Sequence, residues 1–160
     1  MKALAVLFTL VALEEPSPNW PADGCYARDY DAAHLAANPA QVVEEMFLEV
    51  NYGPAVGFHA ALFVRIADQG RAARDRLGGR SFEQMLFCDD PDGVTQCETE
   101  CPGDGGFAVT RDEGGMIEIT TDHLQVGPSG ACPRGLDLAE SPGRPVTFRL
   151  FSVPLENCYP

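Results

Sequence analysis

The sequence predicts an all-β fold, a small antiparallel β-barrel or sandwich with one short N-terminal helix, fastened by disulfides. Three observations predict it: apolar and polar residues alternate in several short segments, glycine-rich turns separate these segments, and the chain contains six cysteines. Alternation with a period of two is typical of strands that have one wetted face, which favours antiparallel pairing. Many short strands at close spacing are typical of barrels and sandwiches.

The chain begins with an apolar run from Ala3 to Leu13, preceded by Lys2. This run is shorter than the roughly 20 residues that a membrane-spanning helix needs, and it is typical of a secretory signal peptide. We therefore expect residues 1–22 to be a signal peptide and linker, cleaved between Ala12 and Ala22. The alternative is a buried N-terminal strand or helix. No later segment is long and apolar enough to cross a membrane.

The remaining residues, 23–160, have the length of a single β-rich domain. A lipoprotein in which Cys25 carries the lipid is an alternative for the start of this domain. Asp23 fits poorly into a lipidation motif, and lipidation would leave an odd number of cysteines. We therefore expect a periplasmic or secreted protein without a lipid anchor.

A short helix is predicted near the start of the domain, between Tyr30 and Asn38. Asp31 is a favourable N-cap, and Pro39 disfavours helical angles at Asn38 and ends the helix.

The strands follow the helix. They are predicted at residues 41–52, 57–67, 81–88, 107–112, 115–121, 123–126 and 146–153. In the second of these strands one apolar face is formed by Phe58, Ala60, Leu62, Val64 and Ile66. Glu113 and Gly114 predict a hairpin turn, because glycine adopts positive φ readily. Residues 127–145 are rich in proline and glycine, and we expect a long loop there.

The cysteines are Cys25, Cys88, Cys97, Cys101, Cys132 and Cys158. Export to an oxidising compartment makes disulfides their expected state. Six cysteines allow fifteen pairings, which sequence alone does not resolve. The termini of a compact domain are often close together, so we expect Cys25 to pair with Cys158 and the other four cysteines to pair around residues 88–132.

Composition excludes several classes of function. The formal net charge of −13 disfavours nucleic acid and anionic lipid as partners. Lys2 is the only lysine, so after cleavage no lysine remains for a Schiff base, a Ser–Lys dyad or a phosphate-binding loop. The sequence predicts no cofactor.

Two segments resemble a known group of proteins. They are CYARDYDAAHLAANPAQVV (25–43) and CETECPGDGGF (97–107). They are similar to a family of secreted, cysteine-containing alphaproteobacterial proteins that share a Cys-Tyr/Phe-x-Arg-x-Tyr-Asp-Ala-Ala-His-Leu start, a mid-chain Cys-x-x-x-Cys-Asp-Gly-Gly segment and a cysteine near the C-terminus. This chain departs from the pattern by placing Pro102 and Gly103 between Cys101 and Asp104. The resemblance implies export and the placement of the cysteines, and it implies no reaction.

The acidic segment 88–104 is a candidate calcium loop, whose weak candidate ligands are Asp90, Asp92, Glu98 and Asp104. An EF-hand register fails, because it would place Cys88 and Thr99 where carboxylates are required. A solvated acidic turn is the favoured alternative. Cys97 and Cys101 have tolerable zinc-ligand spacing, but no partner pair follows and disulfides are favoured, so we expect no metal.

Three histidines are candidates for catalysis or for ligand contact: His34, His59 and His123. His34 belongs to the predicted helix, whereas His59 and His123 belong to strands. We single out His59, Phe63 and His123 as residues that could line a ligand site. The sequence contains no Gly-x-Ser-x-Gly or His-Glu-x-x-His motif. Four arginines, Arg71, Arg74, Arg76 and Arg80, form a basic island, which we interpret as a solvated loop paired with nearby carboxylates such as Asp75 rather than as an anion site.

The leading hypothesis is therefore a non-catalytic binding or structural module of the cell envelope, with an envelope protein or a small apolar ligand as its partner. The alternative is a small barrel that carries an apolar or amphipathic ligand, since Phe63, Met85, Phe87 and Phe151 lie on strand faces opposite the main apolar ones. A roomy interior would favour the carrier, and a filled interior the module. A third hypothesis is an enzyme in which His59 or His123 lies beside a carboxylate.

Overall fold

The computed structural model describes residues 20–53, 57–128, 132, 135–141 and 143–159. The strands are β1 (Gly24–Asp29), β2 (Val43–Gly53), β3 (Gly57–Ile66), β4 (Ser81–Asp89), β5 (Gln96–Thr99), β6 (Gly105–Glu113), β7 (Met116–Val126), β8 (Leu136–Asp137) and β9 (Val146–Val153). Two short helices, α1 (Ala32–Ala37) and α2 (Gly70–Arg74), and two 3₁₀ turns, Pro91–Gly93 and Leu155–Cys158, connect them. The predicted signal peptide and linker comprise residues 1–22, of which residues 1–19 lie outside the described residues.

Eight of the strands form a closed antiparallel barrel. The order around the wall is β1-β2-β3-β4-β5-β6-β7-β9, β9 pairs with β1, and β8 adds two residues to the end of β7. Of the two predicted architectures the structure is therefore the barrel and not the sandwich. Closure gives every wall strand a hydrogen-bonded neighbour on both sides.

The barrel interior is filled by side chains. The predicted inner face of β3 is confirmed, since none of its five apolar residues is more than 4% exposed. Large side chains from other strands and from the 136–139 segment meet them, each less than 2% exposed: Met46, Leu48, Leu86, Ile117, Ile119, Leu124, Leu138 and Leu150. An eight-stranded barrel is just wide enough for its side chains to fill, and these residues do so.

Three strand predictions were wrong in detail. β1 was not predicted, because Arg28 and Asp29 interrupt its apolar pattern. β5 was assigned to the acidic loop, because it is only four residues long. The two predicted strands at residues 115–121 and 123–126 are one continuous strand, β7.

A register shift between Val43 and Glu45 allows both Val42 and Val43 to be buried at the start of β2.

Helix α1 begins where its N-cap was predicted. The Asp31 carboxylate accepts a hydrogen bond from the His34 backbone N–H at 2.7 Å. The helix ends at Ala37, and Asn38 and Pro39 follow it. None of the helices in the described chain is long and apolar enough to cross a membrane.

All six cysteines form disulfides. The predicted pair Cys25–Cys158 is present and fastens the C-terminal 3₁₀ turn to β1. Cys88–Cys97 joins directly opposed residues of β4 and β5, and Cys101–Cys132 joins the segments that follow β5 and β7. These three bonds indicate an oxidising extracellular or periplasmic environment.

Candidate functional site

The structure does not bring the three predicted ligand-lining residues together. His59 and Phe63 lie on the outer face of β3, where they are paired in register with Asn51 and Phe47 of β2. His123 lies on β7, which does not pair with β3. The barrel therefore separates His123 from the other two residues, and three separate regions of the surface are candidate sites.

The outer wall carries an apolar surface around β2, β3 and β4. Met85 and Phe87 are 39% and 48% exposed there, and Phe63 is paired in register with Glu83, two residues before Met85. A cavity of about 620 Å³, which we call the outer groove, opens between Phe47, Phe63 and Tyr159. The Tyr159 ring meets the Phe63 ring edge-on at 6.4 Å between centroids, and its hydroxyl donates to Glu49 at 2.6 Å. The predicted apolar character of the outer face is thus correct.

His123 is bonded at both ring nitrogens. Nδ1 lies 2.8 Å from a carboxylate oxygen of Asp137, and Nε2 lies 2.8 Å from the carbonyl oxygen of Gly103. The other carboxylate oxygen of Asp137 accepts backbone N–H groups of Leu124 and Ala139 at 3.1 and 3.0 Å. These bonds tie β7 to the 101–104 loop and to the segment that contains β8.

This arrangement favours the doubly protonated imidazolium. The hydrogen bond to Asp137, followed by that to Gly103, raises the pKa of His123 above 6.5. A carbonyl oxygen only accepts, so Nε2 must donate to Gly103 to keep that bond. Nε2 therefore has no lone pair to offer a substrate while the bond is present, and the histidine–carboxylate pair acts as a fastener in this conformation. Sequence reasoning missed Asp137, which lay inside the predicted loop 127–145.

Arg71 of the basic island fastens the same segment. Its guanidinium donates hydrogen bonds to the backbone carbonyls of Asp137 and Ala139. Leu138 between them is fully buried. The sequence led us to expect that the basic island pairs with nearby carboxylates such as Asp75. Arg71 is instead bound to backbone carbonyls. These bonds hold the loop against the barrel, and the Arg71 guanidinium binds groups of the protein itself.

A third place lies where β1 separates from β9. The two strands pair only from Cys25 to Ala27, and beyond Ala27 they enclose a cavity of about 440 Å³, which we call the Arg28 cavity. The lining residues that matter here are Arg28, Tyr30, Glu118, Glu140, Arg149 and Phe151. The guanidinium carbon of Arg28 lies 5.2 Å from the ring centroid of Tyr30 and 5.6 Å from that of Phe151.

No three His, Cys, Asp or Glu side chains of the described chain come together in a way that could hold a metal ion. Asp90, Asp92, Glu98 and Asp104 therefore do not converge on a common point. The acidic segment contains the short turn Pro91–Gly93 and the strand β5, with Cys88 and Cys97 joined across it. The geometry gives the calcium hypothesis no support.

Comparison with known proteins gives no family assignment: no family model matches the chain, and no curated protein or solved structure is significantly similar to it. The fold and the three places described above therefore carry the functional inference.

Proposed function

We propose that this protein is an exported, non-catalytic binding module of the cell envelope that recognises its partner with the outside of a rigid barrel. The observation that carries the proposal is the distribution of side chains. The interior is packed with apolar residues, whereas aromatic residues such as Phe87, Phe151 and Tyr159 are 42% to 61% exposed on the outside. Aromatic residues are enriched in the surfaces with which proteins bind their partners.

The three disulfides support a role as a durable module. Crosslinks of this kind are common in proteins that work in oxidising compartments. The proposed signal peptide at the start of the chain is the route to that compartment. The bonded state of His123 supports a structural role for this histidine, because a general base needs a free lone pair.

The alternative function, a carrier of an apolar ligand, would need a binding site outside this barrel rather than inside it. A ligand enclosed by the wall would have to displace fully buried side chains such as Met46, Leu62 and Leu150. An apolar ligand would instead bind in the outer groove, where Phe47 and Phe63 offer aromatic surface and Tyr159 covers one side. We keep this as the second candidate function.

The proposal is tested by mapping where small molecules bind. The protein is exported from a bacterial host, and mass spectrometry verifies an N-terminus between residues 13 and 23 and three disulfides. The ¹⁵N-labelled protein is then titrated with a chemically diverse fragment library and followed by amide chemical shifts. We expect the saturable shifts to lie on outward-facing positions of β1–β4 and β9, because the interior is closed.

Three results would contradict the proposal. Shifts confined to interior positions such as Leu62 and Leu86 would favour a carrier with an internal site. Conversion of a fragment into a product, lost on substitution of His123, would favour an enzyme. An N-terminus at Met1 together with free thiols would contradict export.

A further inference from the structure

Arg28 differs from three arginines of this protein that pair with a carboxylate. Arg65, Arg111 and Arg149 each form an ion pair with a glutamate. The Arg28 side chain forms neither a hydrogen bond nor an ion pair with any residue that the structure describes, and its Nε, like that of Arg71, is buried without a partner. A buried Nε–H without an acceptor is costly, because this group has lost water and gained no other hydrogen bond in return.

The surroundings of Arg28 hold the charge in place without using its donors. Rings of Tyr30 and Phe151 attract the guanidinium by cation–π contact. Such contacts involve the ring faces, so the N–H groups of Arg28 stay available to an acceptor. The Tyr30 hydroxyl has no hydrogen-bond partner in the described chain either, and its residue is only 9% exposed. Two donors at one cavity thus have no acceptor among the described residues, and one of them, the Nε of Arg28, is buried.

The charges around the cavity restrict the ligand. Arg149 donates to Glu118 through Nε at 2.8 Å and Nη2 at 2.6 Å, so these two charges compensate each other. Glu140 adds an exposed negative charge at the rim, and the chain as a whole carries −13. A dianion such as phosphate would be repelled by these carboxylates more strongly than a monoanion, and Arg28 is the lining arginine that no described carboxylate pairs.

We propose that the Arg28 cavity binds a small monoanionic carboxylate whose aromatic or apolar body lies against Tyr30 and Phe151. The proposal rests on the proposed function as a binding module and names the ligand class of one of its outer sites. A planar carboxylate accepts two parallel N–H bonds from a guanidinium fork, and the Tyr30 hydroxyl supplies a third donor. The cavity, at about 440 Å³, lies within the range of about 300–1,000 Å³ that is usual for small-molecule sites.

The test uses benzoate as the probe on the oxidised, full mature protein. Benzamide has the same shape without the charge, and acetate has the charged carboxylate without the ring. We expect saturable amide shifts at Arg28, Tyr30 and Phe151 with benzoate, and affinities weaker by about tenfold or more for the two comparison compounds. Arg28→Gln should weaken benzoate binding by about tenfold or more, because it removes both the charge and the fork.

Arg65→Gln is the matched control, since it removes an arginine of the outer wall that is already paired with Glu45. It should leave benzoate affinity unchanged. If Arg28→Gln does not fold, Arg28→Lys and Tyr30→Phe decide: each keeps most of the packing, and each should weaken binding. Folding is checked by near-ultraviolet circular dichroism.

Equal binding of benzoate and benzamide would overturn the proposal, as would equal losses in Arg28→Gln and Arg65→Gln or the absence of saturable shifts near Arg28. If fragments still bind elsewhere on the outer wall, only the Arg28 cavity is refuted. If no small molecule binds outside the barrel at all, the proposed function fails with it.

Discussion

At the scale of single residues, the electrostatics of this protein centre on His123. A neutral imidazole has one N–H group, so it can donate to Asp137 or to Gly103 but not to both. The protonated form keeps both bonds at 2.8 Å. Since one histidine connects β7, the 101–104 loop and the β8 segment, its protonation state bears on how tightly these three parts of the chain are joined.

The pH dependence of stability follows from this. The folded pKa of His123 is raised, chiefly by the bond to Asp137, so its stabilisation is complete below about pH 6.5 and is lost as pH rises through the folded pKa. The side chain is 40% exposed, so we expect about 1 kcal/mol or less. Urea unfolding of the wild type and His123→Gln at about pH 5.5 and about pH 8.5 measures it.

The advantage of the wild type over His123→Gln should shrink between the two pH values. His59→Gln is the control, because His59 has only a 3.5 Å contact with the Gly57 carbonyl. An advantage that stays constant or grows with pH would show that the imidazolium is not the stabilising form.

At the scale of the elements, the close approach of β5, β6 and β7 depends on two glycines. Gly105 has a φ of +76°, and a Cβ there would lie 1.9 Å from the carbonyl oxygen of His123. A Cβ at Gly106 would lie 2.0 Å from the carbonyl oxygen of Cys97. Both obstacles are backbone atoms, which cannot rotate away as a side chain could. Part of the barrel wall therefore closes only because these two positions lack side chains.

Gly105→Ala should be far more destabilising than Gly103→Ala. Gly103 also has a positive φ, +88°, but a Cβ there meets nothing within 4 Å. We expect about 1–2 kcal/mol for the left-handed backbone at either position, and a further loss of about 1–3 kcal/mol from the clash at Gly105. The difference between the two variants in thermal or urea unfolding gives the clash alone. Equal losses would mean that β6 moves away from β7 at little cost.

At the scale of the whole molecule, the disulfides close loops of very different length. The sequence separations are 9 for Cys88–Cys97, 31 for Cys101–Cys132 and 133 for Cys25–Cys158. The longest loop contains nearly the whole barrel and joins β1 to the C-terminal turn. A crosslink restricts the unfolded chain more strongly when the loop it closes is longer, so the three bonds should contribute unequally to stability.

Replacing each pair with alanines should therefore lower the free energy of unfolding in the order of loop length. The chain-entropy relation gives about 2.6, about 3.7 and about 5 kcal/mol for the three pairs, from shortest to longest. Urea unfolding of the three double variants, each with its other two disulfides intact, measures the series. A larger loss for Cys88–Cys97 than for Cys25–Cys158 would show that native packing around the β4–β5 bond matters more than loop entropy.

Much of the fold could be predicted from the sequence, because strand alternation is a local property. The predicted inner residues of β3 are buried, β9 spans the predicted residues 146–153, and Asp31 caps α1. The Cys25–Cys158 pair followed from the expected proximity of the termini. β1 and β5 were missed because charged residues or shortness hide the alternation, and these strands are defined by the neighbours that pair with them.

The sequence by itself determined that this chain is an all-β, disulfide-crosslinked protein with apolar residues on both faces of several strands. Composition and the alternation of apolar and polar residues are local properties, which can be read along the chain. Only the tertiary structure decided that the sheet closes, that its interior is filled and that the second apolar face points outward. It also decided which side chains lie in contact: His123 with Asp137, and Arg28 with two aromatic rings but with no acceptor in the described part of the chain. Such contacts join residues that are distant in sequence, because strand pairing around a closed wall brings them together.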